Sequence, residues 1–412
     1  MAYSDIREYR TARQPSTNWL IDQILMGKSL PAYLRSLITP FNIAVTPILV
    51  VGMYLTFLRF TQGLESTTNL TNNNPWGLWI GFDVLSGVAL AAGCYTMATA
   101  VHVFKLEAYR PLVRPAILTG FLGYLFVVVG LCFDLGRPWR LPFPMGVSMG
   151  FTSVMFLVAW HVALYLGCQF VEFSPAVAEW LHNKKLRRWT VRIALGATIF
   201  GLMLSTLHQS ALGALYLVMP GKLFPLWYSP MLPIFFFISS MAAGLSVVIV
   251  ESTISHRAFH DKVGISKEKL DNLTLGLARA ASPVLFTYFA FKLVGIADGR
   301  NWEYLFTPLG YWFMAEIGLF VLVPSFLYLW GAQTRNVPLV RLTAFLTIIG
   351  IVLNRLNVSL IAFNWQLADR YVPRWSEIFI SIFIVTLLIL TYRWVVNRMP
   401  VLRDDPGYSS ES

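Results

Sequence analysis

The chain has 412 residues, of which 56% are hydrophobic and 13% are charged, and its mean hydropathy is +0.60. This composition is typical of a polytopic membrane protein and excludes an ordinary soluble domain. The formal net charge is +11, but the basic residues lie mainly in loops between apolar stretches, where they act as an orientation signal. Membrane lipid is therefore an expected partner, and nucleic acid is not.

The first 39 residues are polar and charged and contain no signal-peptide pattern, so the first apolar stretch is expected to direct membrane insertion. Apolar side chains alternate here with basic ones, which predicts a cytoplasmic amphipathic segment at the membrane surface. Its basic residues are Arg7, Arg10, Arg13, Lys28 and Arg35.

Ten apolar stretches follow, and each is long enough to cross a bilayer as a helix of about 20 residues. The predicted fold is therefore an all-α integral membrane protein with ten transmembrane helices, which we number span 1 to span 10. The predicted bounds are 41–60, 77–104, 112–134, 148–172, 190–213, 230–253, 277–297, 309–331, 338–363 and 376–397.

The distribution of basic residues predicts the orientation of the spans. Of the 32 Lys and Arg residues, 22 lie at the termini and in the loops after spans 2, 4, 6 and 8, whereas 7 lie in the other loops. The remaining three, Arg192, Lys292 and Arg355, lie within spans. Because positively charged loops stay in the cytoplasm, both termini are predicted to be cytoplasmic.

Two motifs occur twice in the chain. The pattern L-x-x-L-[HN]-x-S occupies residues 204–210 and 353–359, and the DLGRPW motif at 134–139 resembles the DGRNW motif at 298–302. A shift of four spans preserves orientation, so the motifs predict a parallel repeat that relates spans 2–5 to spans 6–9. The alternative is a chance resemblance between apolar helices, since neither copy is long.

The repeat predicts two parallel-related four-helix bundles with one helix at each end of the chain. The predicted segments are 1–39 (N-terminal segment), 40–75 (span 1 and its loop), 76–228 (first bundle), 229–366 (second bundle) and 367–412 (span 10 and the tail).

Polar side chains inside the apolar stretches predict a functional cavity, because such side chains are costly in hydrocarbon. In the first copy of the repeated motif, Ser205 and His208 share one helical face, and in the second copy Asn354 and Asn357 do so. Spans 2–5 also contain Asp83, for which span 6 has no acidic counterpart.

Two further groups of charged residues have alternative interpretations. Lys292, Glu316 and Arg355 predict a buried ion network with Lys292 and Glu316 as its natural pair, and a structural role is as reasonable as a catalytic one. His161, His102 and Glu172 either lie at the interface with ordinary hydrogen bonds or mark a proton path.

The sequence predicts no redox centre within the chain. The three cysteines form no metal-binding motif, and the histidines at 102, 161 and 208 fall at three different predicted depths, so no pair is expected to bind a b-type haem. No nucleotide-binding fingerprint occurs. We therefore expect no haem, flavin or metal in this chain.

Two classes of function remain open on these grounds. Parallel repeats and buried charges suit a secondary transporter with a polar substrate site. A quinone-binding subunit instead needs an apolar slot with a titratable group near each quinone carbonyl, because quinone reduction consumes protons. Asp83 and His208 could supply those groups.

Several motifs, in order along residues 40–400, resemble the NrfD/PsrC-like family of quinone-interacting membrane subunits. They are WGLWIGFD at 76–83, DLGRPW at 134–139, HQSALG at 208–213, WYSP at 227–230 and NRLN at 354–357. The ten-span form is most similar to the integral membrane subunits of menaquinone reductase (Qrc) complexes.

This resemblance implies a subunit of a respiratory complex in the bacterial inner membrane. It implies a menaquinone pocket on the periplasmic side of the first bundle, electron exchange with a periplasmic iron–sulfur protein, and multihaem cytochrome c and molybdopterin-like subunits in the same complex. It also implies menaquinone reduction, with proton translocation as a further expectation.

The resemblance also suggests the residues of the site. Asp83 and His208 lie in matching motifs and are the expected catalytic residues. The residues expected to contact the quinone or shape its pocket are Trp79, Asp83, Ser205, His208, Asp134 and Arg137.

Overall fold

The computed structural model describes residues 19–403. Within these residues there is no β-strand, and ten helices are long and apolar enough to cross a membrane, so the predicted fold class and span number are confirmed. In chain order, spans 1 to 10 are Pro40–Gln62, Trp79–Val103, Glu107–Asp134, Val154–Trp180, Lys184–Ala214, Leu232–Ala258, Lys267–Asp298, Pro308–Gln333, Val337–Ile361 and Trp375–Arg398.

Two short helices, Trp19–Ile24 and Leu30–Ser36, precede span 1. Apolar side chains of this region are exposed, among them Leu30 (58%) and Ile38 (70%), as an interfacial segment requires. The guanidinium of Arg398 donates to the carbonyl of Ile24 at 3.0 Å and fixes the segment to the end of span 10. Arg7, Arg10 and Arg13 lie outside the described residues.

Neighbouring spans pack against each other within both four-span groups. Spans 2 to 5 contact one another in sequence, as do spans 6 to 9, and span 6 also packs against spans 2, 5 and 9. Spans 1 and 10 pack together, and span 10 also contacts span 3 and the start of span 2. The repeat relation between the groups and the five predicted segments remain predictions.

Spans 2 and 6 cross with their backbones in direct contact. A Cβ atom at Gly244 would lie 2.7 Å from the backbone nitrogen of Gly93, and one at Gly93 would lie 3.0 Å from the carbonyl oxygen of Gly244. Only glycine permits this approach, which is a common device for packing membrane helices. The crossing joins the two four-span groups near the centre of the membrane domain.

Three spans contain π-helical segments, which are frequent at functional sites. They are Trp79–Ser86 and Thr99–Val103 in span 2, Gly318–Leu322 in span 8 and Asn357–Ile361 in span 9. Asp83 and Asn357 lie within these segments, and Glu316 lies two residues before one. The face of the membrane domain at which span 1 begins is called the N-terminal face, and the face at which span 1 ends is called the far face.

Candidate functional site

His208 of span 5 is completely buried, and only one of its two ring nitrogens has a side-chain partner. Its Nε2 atom shares a hydrogen bond of 2.9 Å with the hydroxyl of Tyr124 on span 3. Its Nδ1 atom bonds to no other side chain among the described residues, and the ring also interacts with the backbone of Leu204, one turn earlier in span 5. The ring of Tyr165, on span 4, lies 5.8 Å from that of His208. The imidazole is thus held by Tyr124 and by its own helix, and its Nδ1 atom has no side-chain partner.

Other polar atoms without partners lie on the same helix. Gln209 donates from Nε2 to the carbonyl of Val88 on span 2 at 3.0 Å, but its Oε1 atom is buried without a partner among residues 19–403. The same holds for the hydroxyl of Ser205. An unsatisfied buried polar group costs about 1–3 kcal/mol, so these atoms favour a bound polar ligand or water.

The structure corrects the predicted depth of His161. Span 4 begins at Val154 instead of residue 148, so His161 lies seven residues from the start of span 4, and His208 lies six residues from the end of antiparallel span 5. Both are about 10 Å below the far face at a rise of 1.5 Å per residue. His161 is also close enough to His208 to interact with it electrostatically. The depth argument against a haem is therefore wrong for this pair, and the absence of a haem remains a prediction.

A row of polar side chains runs from His161 towards the N-terminal face. His161, Gln169 and Glu172 are spaced 8 and 3 residues apart, which places them on one face of span 4. Gln169 is completely buried, and neither atom of its amide has a partner among the described residues. His102 is exposed at the end of span 2, where its charged neighbours are Glu107, Lys105 and Arg110, so the structure does not join it to this row.

Asp83 has a separate environment. It is 6% exposed, and its Oδ2 atom accepts a hydrogen bond of 2.6 Å from Ser381 on span 10. A Cβ atom at position 130 of span 3 would lie 2.8 Å from the Cβ of Asp83, so Gly130 makes room for the aspartate between spans 3 and 10. Among the described residues, no hydrogen bond or ion pair joins Asp83 to His208. The expected shared pocket is thus not seen as direct contact between the two.

The far-face end of span 3 lies close to Asp83. Arg59 of span 1 donates two hydrogen bonds of 2.7 Å to the carbonyls of Phe133 and Leu135 and holds this end in place. Asp134 has a buried Oδ1 atom with no hydrogen-bond partner among residues 19–403, although Arg59 lies nearby as a counter-charge. Arg137, in the loop that follows, is exposed.

Trp79 is 1% exposed and belongs to the same region. Its indole Nε1 atom donates to the backbone carbonyl of Glu377 at 3.1 Å. Tyr371, in the loop before span 10, donates from its hydroxyl to the Glu377 side chain, and the backbone NH of Leu78 donates to the same hydroxyl. Burial raises the pKa of the Tyr371 phenol, which therefore remains a donor. Trp79 thus anchors span 2 to span 10.

The second four-span group contains a carboxylate whose hydrogen bonds are satisfied. Glu316 of span 8 is 1% exposed and accepts from Asn354 (2.6 Å), Asn357 (2.5 Å) and Trp227 (2.8 Å). The Oδ1 atom of Asn357 in turn accepts from Trp312 at 2.9 Å. Asn357, which occupies the place of His208 in the repeated motif, is thus fully engaged by protein groups.

Arg355 joins this network through an amide. Its guanidinium donates to the Oδ1 of Asn354 and to the hydroxyl of Ser239, both at 2.8 Å, and lies 3.8 Å from the centre of the Phe236 ring. Asn354 therefore bridges Arg355 and Glu316, which are not directly paired within residues 19–403.

Lys292 does not form the expected ion pair with Glu316. Its Nζ atom lies 4.8, 5.6 and 5.7 Å from the ring centres of Phe235, Tyr288 and Phe313, as in a cation–π cage. Among the described residues it has no carboxylate within 4.0 Å, although Glu316 is close enough to act on it electrostatically. The physical reason is that the oxygens of Glu316 are already occupied by neutral donors.

Sequence reasoning missed several residues of these clusters. Gln169 and Gln209 could have been identified from the sequence, because each is a polar amide within an apolar helix that also contains a histidine. Tyr124 and Ser381 carried none, since a lone tyrosine or serine in an apolar stretch is common and gives no indication of its partner.

Within residues 19–403 there is no group of three or more His, Cys, Asp or Glu side chains that could hold a metal ion. The expected absence of metal and flavin remains a prediction. A quinone carbonyl accepts hydrogen bonds, and quinone reduction requires protons, so the His208 imidazole, whose Nδ1 atom has no side-chain partner among residues 19–403, and the buried Asp83 fit a quinone ligand chemically.

Comparison with known proteins identifies the relatives of the chain. Residues 66–364 match the family described as "Polysulphide reductase, NrfD". A protein of Nitratidesulfovibrio vulgaris is 52% identical over 377 residues, which cover 91% of this chain and 97% of the relative. The "Probable Ni/Fe-hydrogenase 2 b-type cytochrome subunit" of Escherichia coli is 31% identical over 359 residues, covering 86% and 91%.

A third relative has a name that states its substrate. The "Menaquinone reductase, integral membrane subunit" of Nitratidesulfovibrio vulgaris is 27% identical over 388 residues, which cover 84% of this chain and 88% of the relative. The family resemblance noted from the sequence motifs is therefore confirmed.

Proposed function

Because the chain belongs to the polysulphide reductase NrfD family, we propose that it is the membrane subunit of a multi-subunit menaquinone oxidoreductase that is inactive alone. In this proposal, a periplasmic iron–sulfur protein delivers electrons for menaquinone reduction, and multihaem cytochrome c and molybdopterin-like subunits complete the complex. The observation that carries the proposal is the buried His208, whose Nδ1 atom has no side-chain partner among the described residues. The name of the menaquinone reductase relative supports the choice of quinone.

Reduction of a quinone to a quinol adds two electrons and two protons. The partner supplies the electrons, and the chain's own residues supply the protons. His208 is proposed to bind one quinone carbonyl and to donate a proton to it, while the Tyr124 hydroxyl fixes its ring. Asp83 is proposed to provide the second proton. Ser205 is proposed to line the quinone pocket near His208. Trp79, Asp134 and Arg137 are proposed to shape it near Asp83.

The polar row on span 4 is the proposed route by which protons reach His208. Glu172, Gln169 and His161 lead from the N-terminal face towards His208, and the Gln169 amide, which has no partner among the described residues, favours bound water in this region. His102 is exposed at the N-terminal face and is proposed as an entry residue only. Such a route would couple quinone reduction to proton uptake across the membrane.

The proposed orientation places both termini in the cytoplasm of a bacterial inner membrane, with the far face in the periplasm. Ser148 and Asp261 are exposed in loops on opposite faces. We expect a membrane-impermeant maleimide to label Ser148→Cys from the periplasm and Asp261→Cys only after the membrane is opened, with the unaltered chain as control. Labelling of both variants from one side would contradict the orientation.

The function is tested on the chain in vesicles, alone and with its co-purified iron–sulfur partner. We expect menaquinone reduction only with the partner, no visible haem spectrum from the chain alone, and proton uptake from the N-terminal face. Gln169→Leu should reduce the proton uptake per quinone. A haem absorption band from the isolated chain would contradict the predicted absence of haem, and catalysed solute uptake without partners would favour a transporter.

A further inference from the structure

Span 10 lies outside the part of the chain that matches the family, which ends at residue 364, yet it contacts Asp83. Ser381 is 3% exposed, and its hydroxyl donates a hydrogen bond of 2.6 Å to the Asp83 carboxylate. A buried serine on a membrane helix more often bonds to its own helix backbone, as Thr386 does on the same span. Ser381 instead donates to a different helix.

The start of span 10 is fixed relative to span 2 by several contacts. Trp79 donates to the carbonyl of Glu377, and the Tyr371 hydroxyl connects the Glu377 side chain to the backbone of Leu78. Ser376 adds a bond of 2.6 Å to the carbonyl of Thr67. These contacts lie one to two helical turns from Asp83. They therefore fix the position of Ser381 relative to the Asp83 carboxylate.

The fit around Asp83 depends on three spans. Gly130 leaves no side chain between span 3 and the aspartate, and Ile384 of span 10 lies 3.9 Å from the position that a Cβ at Gly130 would take. The carboxylate is thus directed towards span 10, where Ser381 is its hydrogen-bond donor. A hydrogen bond to a carboxylate favours its ionised form, so this contact influences when Asp83 holds a proton.

We propose that Ser381 is a positioning residue for quinone reduction, which acts by orienting the Asp83 carboxylate and favouring its ionised form. This inference rests on the proposed role of Asp83 as a proton donor. In this proposal span 10, which lies outside the residues that match the family, contributes a residue to the reaction site.

The test measures menaquinone reduction by the whole complex as a function of pH. Ser381→Ala should shift the pH dependence towards higher pH and lower kcat several-fold with little change in KM, and Ser381→Thr should restore both. Thr386→Ala removes a buried hydroxyl on the same span that bonds only to the carbonyl of Ile382, at 2.8 Å, and should leave the pH profile unchanged. An unchanged profile in Ser381→Ala, or the same shift in Thr386→Ala, would overturn the inference.

Asp83→Asn separates this inference from the proposed function. In that background Ser381→Ala should have no further effect on the pH profile, because the titrating group is gone. If Asp83→Asn retains full turnover, the proposed role of Asp83 is wrong. If Asp83→Asn loses turnover but Ser381→Ala leaves the profile unchanged, only the role of Ser381 is wrong. If the alanine variant fails to assemble, Ser381→Cys replaces it: its thiol is a weaker hydrogen-bond donor, so it should give a smaller shift in the same direction, and an unchanged pH profile would overturn the inference.

Discussion

His208→Asn is expected to lower menaquinone reduction by about 10²–10⁴-fold, the usual contribution of a positioned acid or base. Asparagine is polar but too short to reach Tyr124 as Nε2 does at 2.9 Å, and it cannot carry a proton at physiological pH. Asp83→Asn should produce a loss of similar size for the same reason. The measurement is the turnover of the intact complex with a soluble menaquinone analogue.

The control for this prediction is Thr198→Ala on the same span. Thr198 is also buried, but its hydroxyl bonds only to the carbonyl of Ala194 within the helix, at 3.0 Å. We expect normal turnover from this variant and normal assembly of all three. Unchanged turnover in His208→Asn would remove His208 from the reaction.

Glu316→Gln is expected to lower the free energy of unfolding by about 3–5 kcal/mol, the cost of breaking a buried charge network. The glutamate accepts hydrogen bonds from Asn354, Asn357 and Trp227. In a glutamine, the NH₂ group would replace one carboxylate oxygen and would face an NH donor, so that hydrogen bond would be lost. The glutamine would also leave the buried charges of Arg355 and Lys292 without a carboxylate. The expected result is a large fall in the melting temperature of the detergent-solubilised protein.

Glu303→Gln is the matched control, because Glu303 is an exposed carboxylate at the far face of the same four-span group. It should leave the melting temperature unchanged. The quinone turnover that remains per folded Glu316→Gln complex should be close to normal. A stable Glu316→Gln complex without turnover would instead place the reaction in spans 6–9.

The ten spans could be predicted from sequence because apolar runs of bilayer length have few alternative structures. Side-chain partners could not, because they depend on helix rotation. The π-helical segment around Asp83 changes the face that the carboxylate presents, and Gly130 provides space towards span 10 instead of towards His208. Nothing in the local pattern around Ser381 indicates that it bonds to a residue 298 positions away.

Two predictions failed for physical reasons that involve packing. Residues 148–153 carry no charge, so they do not interrupt span 4 in the sequence, but the helix begins at Val154, which changes the depth of His161. Opposite charges at similar depth suggested a pair between Lys292 and Glu316. The carboxylate is instead satisfied by neutral amides and an indole, and the ammonium lies among aromatic rings.

We propose that menaquinone binds beside spans 2–5 and not beside spans 6–9. The difference is chemical, since His208 can carry a proton and its Nδ1 atom has no side-chain partner among the described residues, while the Asn357 amide is bonded to Glu316 and Trp312. The most direct test is photolabelling of the intact complex with an azido-naphthoquinone, followed by mass spectrometry of the labelled peptides. We predict labels within spans 2–5, near His208, that excess menaquinone prevents. Competed labels confined to residues 308–361, around Glu316 and Asn357, would contradict the account.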